Sequence, residues 1–117
     1  MEITETIPEV GIEDSLEIEL KQDECEPIAI TSDHQIELIV KALSSKTRRQ
    51  ILHQIHIHEE GMDVSDIAAN LEMTEANISA QVKKLEKAGL ITCHYCSGAH
   101  GVRKVSRLAC NEIKIKF

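Results

Sequence analysis

A mainly α-helical domain with a small β wing is the fold class this sequence predicts. Apolar residues recur at helical spacing from residue 33 to residue 89, the period then changes to strand alternation, and two short alternating segments near the ends leave open an extra terminal strand pair. Ile36, Ile39, Val40 and Leu43 form the first stripe, with Thr31, Ser32 or Asp33 available as N-cap. A second helix follows the Ser44-Ser45 break, and its buried face is Ile51, Leu52 and Ile55. Val64, Ile67, Ala68 and Leu71 give a short third helix, capped by Asp63 after the Gly61 turn. After Glu72-Met73, Thr74 caps a fourth helix whose inward stripe is Ile78, Val82 and Leu85, and Gly89 ends it. LITCHYC, the turn-forming SGAHG and VRKVSRL then read as a hairpin, and EIKIKF as a closing strand.

The composition narrows the chemistry. With one Tyr, one Phe and no Trp in 117 residues, platforms of stacked rings are nearly excluded and the core must be aliphatic. No apolar run is long enough to span a membrane and no secretory signal pattern is present, so the chain is expected in the cytoplasm. No nucleophile, base and orienting group come together in a motif, and no Gly-rich phosphate loop occurs, so neither catalysis nor a cofactor or small-molecule ligand is expected. The net charge of −7 is divided steeply. Residues 1–27 hold ten acids and one base, an acidic extension expected to be partly disordered or strand-forming; residues 28–117 form the folded domain and carry a slight positive excess. That excess gathers at one end, where Lys83, Lys84, Lys87, Arg103, Lys104, Arg107, Lys114 and Lys116 face only Glu86 and Glu112 in sequence.

The third helix, tight turn and fourth helix make a helix-turn-helix, in which the first member buttresses a second that can enter the DNA major groove. With Ile78 at the centre of the buried stripe, a step of about 100° per residue turns Ala76, Ser79, Ala80, Lys83 and Lys87 outward, with Asn77 and Lys84 on the flank. Small side chains permit close approach to bases, Asn and Ser offer donors and acceptors, and downstream lysines suit phosphates. Sequence-specific reading of double-stranded DNA by residues 75–88 is the function this pattern predicts.

The stretches ALSSKTRRQIL and DIAANLEMTEANISAQVKKLEKAGLI, followed by the basic hairpin, resemble the winged helix-turn-helix domain of ArsR-type transcriptional regulators. The resemblance implies that Thr74, Ala76, Asn77, Ser79 and Gln81 face DNA, that His100, Arg103 and Lys104 on the wing reach the minor groove or backbone, and that the regulator is a homodimer on two half-sites. Two departures stand out. MDVSDIA occupies the place of the metal-binding ELCVCDL-type box, and no helical stripe follows Leu108 to build a C-terminal helical dimer interface.

Cys93, Cys96 and Cys110 with His100 could arithmetically supply a zinc set, but Cys93 and Cys96 fall on opposite faces of a strand, and half-buried thiols are the simpler reading. His53, His56 and His58 suit the C-terminal end of the second helix. At the two ends, SLEIEL and EIKIKF can pair with Glu17 and Glu19 opposite Lys114 and Lys116, within one chain or by exchange between two. The acidic extension could also compete with DNA for the basic surface. A winged-helix protein-interaction module that never meets DNA, and a thiol- or metal-responsive regulator, are the alternative functions.

Overall fold

The computed structural model describes residues 16–98 and 101–117. Residues 1–15 of the acidic extension, and His100 at the hairpin tip, lie outside the described residues. The element order is β1 (Glu17–Lys21), β2 (Ile28–Ile30), α1 (Asp33–Leu43), α2 (Lys46–Ile57), β3 (Met62–Asp63), α3 (Val64–Leu71), α4 (Glu75–Lys87), β4 (Ile91–Gly98), β5 (Gly101–Leu108) and β6 (Glu112–Lys116).

Each helix begins where a short polar side chain can satisfy a free backbone N–H. Ser32, Ser45, Asp63 and Thr74 accept from the amides of Gln35, Arg48, Asp66 and Asn77 respectively. Gly89 follows α4 at φ +81°, and the Gln35 side-chain amide donates to the Ala88 carbonyl at 2.9 Å, so α1 closes the C-terminal end of α4. At the end of α2 the His58 ring nitrogen donates to the Gln54 carbonyl at 2.8 Å. The expected tight turn between α3 and α4 rests on Glu72, which adopts a left-handed conformation (φ 57°, ψ 48°) while its N–H reaches the carbonyls of Ala68 and Ala69. A side chain with a Cβ is strained there. Glu72→Gly is therefore expected to raise stability by about 0.5 to 1 kcal/mol, seen as a higher urea midpoint with an unchanged slope. A lower midpoint would mean that Glu72 makes a compensating contact.

One aliphatic core joins all layers. Ile39, Ile51, Ile67, Ile78 and Leu85 are wholly buried, and Ile18 and Leu20 of β1 reach the same cluster from the terminal sheet. The stripe of α1 is rotated from the expected one. Ala42 is buried and Leu38 partly so, whereas Val40 is 48% exposed, because α1 centres its inward arc on Ile39.

Two antiparallel sheets flank the helices, in the orders β2-β1-β6 and β3-β5-β4. The extra terminal strand pair forms within one chain: Glu17 opposes Lys116 and Glu19 opposes Lys114, and the Lys116 Nζ lies 3.3 Å from Glu19 Oε2 and 3.8 Å from Glu17 Oε2. Strands β2 and β3 were not anticipated. Each is too short to show alternation, and each is held by a neighbour, β2 by β1 and β3 by β5. No helix among the described residues is long and apolar enough to cross a membrane.

Candidate nucleic-acid interface

α3 and α4 are joined by Glu72, Met73 and Thr74, and α4 seats Ile78, Val82 and Leu85 in the core with 1% exposure or less. Burying that stripe fixes the rotation of the helix, so its other side must face solvent. Thr74, Ala76, Asn77, Ser79, Ala80, Lys83, Lys84 and Lys87 are all exposed. The N-terminal part of this face is small or polar and its C-terminal part is cationic.

Gln81 and Thr74, also expected to face DNA, have their polar groups engaged within the protein. Gln81 is half-buried: its carbonyl accepts from Arg48 Nη1 at 2.7 Å, and its amide donates to Asn77 Oδ1 at 3.1 Å. The Arg48 guanidinium also donates to the carbonyls of Ala42 and Lys41 at the end of α1. Gln81 thus orients Asn77 from within the helix assembly, while Asn77 itself stays exposed. Thr74 uses its hydroxyl to cap α4. Sequence reasoning did not single out Arg48 or Lys41, yet both line a cleft of about 250 Å³ with Lys84 and Lys87. Four cations from α1, α2 and α4 converge there, a junction that no sequence spacing reveals.

The wing is a regular hairpin paired from Ile91↔Leu108 to Gly98↔Gly101. Its two faces differ. One carries Ile91 and Cys93 out of the core to exposed Tyr95 and Val102, and the other carries Val105, Arg103 and Cys96. Cys93 and Cys96 accordingly stand on opposite faces, with Cys93 Sγ 3.4 Å from Ser106 Oγ. Cys110 is buried, and burial pushes its thiol pKa up. Two of the three cationic wing residues, Arg103 and Lys104, are tethered to the helix-turn-helix. Lys104 Nζ lies 3.6 Å from Glu86 on α4, and Arg103 bonds Asp63 Oδ2 at 2.6 Å and Asp66 Oδ2 at 3.3 Å. These bonds fix the wing against the helix-turn-helix and leave half of the Arg103 side chain accessible.

The tether has an acid-sensitive member. Partial burial alone would raise the Asp63 pKa, but the Asp66 N–H and the Arg103 guanidinium outweigh it and hold the carboxyl below its usual range. A depressed folded pKa gives stabilisation that is present above the unfolded value and is lost as pH falls through the folded one. Asp63→Asn keeps a capping oxygen and loses only the ion pair, so it should cost about 0.5 kcal/mol at neutral pH. The gap from wild type should close in acid, as urea titrations across pH would show; a gap independent of pH would exclude the ion pair as its source.

A short helix, a three-residue turn, a solvent-facing helix and a tethered hairpin define a winged helix-turn-helix. Residues 43–94 match the family model described as a helix-turn-helix domain. Among solved structures, the homodimeric winged helix-turn-helix DNA-binding domain of a possible ArsR-family transcriptional regulator from Mycobacterium bovis is similar at 28% identity and a TM-score of 0.54, covering 70% of this chain and 76% of that one. An ArsR family transcriptional regulator is similar at 27% identity and a TM-score of 0.52, covering 63% and 75%. The AntR antimony-specific transcriptional repressor is similar at 28% identity and a TM-score of 0.52, covering 68% of each chain. No curated protein sequence matches significantly. The chain carries a winged helix-turn-helix domain of the kind found in ArsR-family transcriptional regulators.

Proposed function

We propose that this chain is a sequence-specific transcriptional regulator that binds double-stranded DNA as a homodimer, with residues 75–88 in the major groove and the wing at 93–107 on the flanking duplex. The observation that carries the reading is the exposed face of α4, where Ala76, Asn77, Ser79 and Ala80 precede Lys83, Lys84 and Lys87. Small and amide side chains at the N-terminal end reach base edges, and the lysines, with Lys41 and Arg48 beside them, meet phosphates. Arg103 and Lys104 orient the wing through their carboxylate partners and present their remaining donors to the backbone. His100 is assigned to the wing tip by its place in the sequence.

The test is a titration of the full chain with duplexes selected from a random pool, repeated across salt concentrations and against unselected competitor. Selection of a common motif with a steep salt slope is the expected result. The net charge of −7 favours a second reading, a winged-helix module that binds protein. A chain that enriches no motif and ignores competitor DNA at low salt would overturn the first reading.

A further inference from the structure

The terminal sheet ends in a free edge and an unfinished face. β6 pairs with β1 on one side only, so its other side offers backbone donors and acceptors with no partner among the described residues. Directly opposed residues share a face, which places Ile18, Leu20, Ile28, Ile30, Ile113 and Ile115 together and Glu17, Glu19, Lys114 and Lys116 on the reverse. Only the middle of the apolar face meets the core. Ile115 is 49% exposed, and Phe117, next in the same alternation, is fully exposed. At the other end of the strand a mainly apolar cleft of about 320 Å³ opens between α2 and β6, with a lining that includes Leu52, His53, Leu90, Leu108, Ile113 and Asn111. A bare ring and a cleft with room for one thus flank the same strand.

The strand is also complementary to itself. Antiparallel pairing of two β6 strands about a two-fold axis through Lys114 pairs all five residues and keeps the apolar faces together. It opposes Glu112 to Lys116 and Ile113 to Ile115, twice each by symmetry. Centring the axis on Ile113 or Ile115 leaves strand ends unpaired, and centring it between residues would set one copy's apolar face beside the other's charged face. The two central lysines meet, and Glu19, opposite Lys114 on β1 of each copy, offsets their repulsion. Continued by one residue, this register sets residue 117 opposite residue 111, which lines the cleft.

We infer that two copies of this chain dimerise by β6-to-β6 pairing into one six-stranded sheet, each Phe117 ring filling the partner's cleft between α2 and β6. The inference rests on the homodimer proposed above and supplies its interface. Because Phe117 is fully exposed in the single chain, Phe117→Asp leaves the fold intact while introducing two buried charges into the dimer. Light scattering over a concentration series should show a wild-type dimer and a variant whose dissociation constant is weaker by about 100-fold or more. Phe117→Trp supplies a tryptophan to a chain that has none, and its emission should shift to the blue as concentration rises through the dimer range. A wild-type monomer at every concentration, a dimer indifferent to Phe117→Asp, or a tryptophan still bathed in water within the dimer would each overturn the inference. A chain that dimerises through Phe117 yet ignores DNA upholds this interface and removes the DNA-binding reading; a monomer that binds DNA does the reverse.

Discussion

Gly61→Ala is expected to lower stability by about 3 kcal/mol, the largest effect of a Cβ added at any of the described glycines. Gly61 sits at φ +94°, where an L side chain is strained, and no room exists for a Cβ. Such an atom would stand 2.5 Å from Val105 Cγ1 and 2.9 Å from the Ser106 carbonyl oxygen, in the strand that carries the wing. Relief by movement is restricted on both sides. The Gly61 N–H is bonded to the His58 carbonyl at 2.8 Å, and the Arg107 side chain holds the Glu60 carbonyl at 3.1 Å. Since β3 begins at the next residue and pairs with β5, the strain passes into both the wing and the cap of α3. For a domain of this size the melting temperature should fall by roughly 10 °C or more. A melting temperature within a degree or two of wild type would show that the loop between α2 and β3 yields more readily than its bonds imply.

The double variant Lys83→Glu, Lys84→Glu should leave melting nearly unchanged and weaken DNA binding by about 100-fold at moderate salt. Both side chains are exposed on α4, so neither contributes to the core. On the proposed interface each lysine displaces a phosphate counterion, and losing both should flatten the dependence of log affinity on log salt by about 2 per chain. The same charge reversal on a helix that never meets DNA would alter neither quantity. Asn77→Ala offers the contrasting result, a loss of discrimination between duplexes with the salt slope preserved, because an amide contact to a base edge releases no counterion.

Elements with dense local signals were legible in the sequence. Asp63 and Thr74 stand out as caps because each precedes an apolar stripe, Ser32 is one of three candidates before α1 and Ser45 half of the Ser44-Ser45 break before α2, and Ile78, Val82 and Leu85 fix the rotation of α4 by spacing. The pairing of β1 with β6 was legible from charge only in part: two short alternating segments of opposite sign can pair with both faces satisfied, but the choice of one chain over two and of the antiparallel register comes from the fold. What escaped depends on contacts between distant residues. Val40 lies in a helical stripe but faces outward, since the partners of α1 decide which arc is covered. Arg48, 33 residues before Gln81, anchors the side chain that orients Asn77, and Arg103 finds its carboxylates 37 and 40 residues away. Spacing carries no information about such bonds, because they are created by the packing of α2 on α4 and of β5 on β3.

The clasp of β1 on β6 bears on how the molecule comes into being. Helices α1 to α4 all lie within residues 33–87 and can assemble as the nascent chain emerges from the ribosome, but Ile18 and Leu20 wait for residues 112–116 before their sheet can close. Closing a loop of that length costs about 4 kcal/mol of chain entropy, so the clasp should form late and open first. Brief protease exposure would then nick the segment between β1 and α1 while the helices remain whole, making the junction of the two ends the fastest breathing part of the fold.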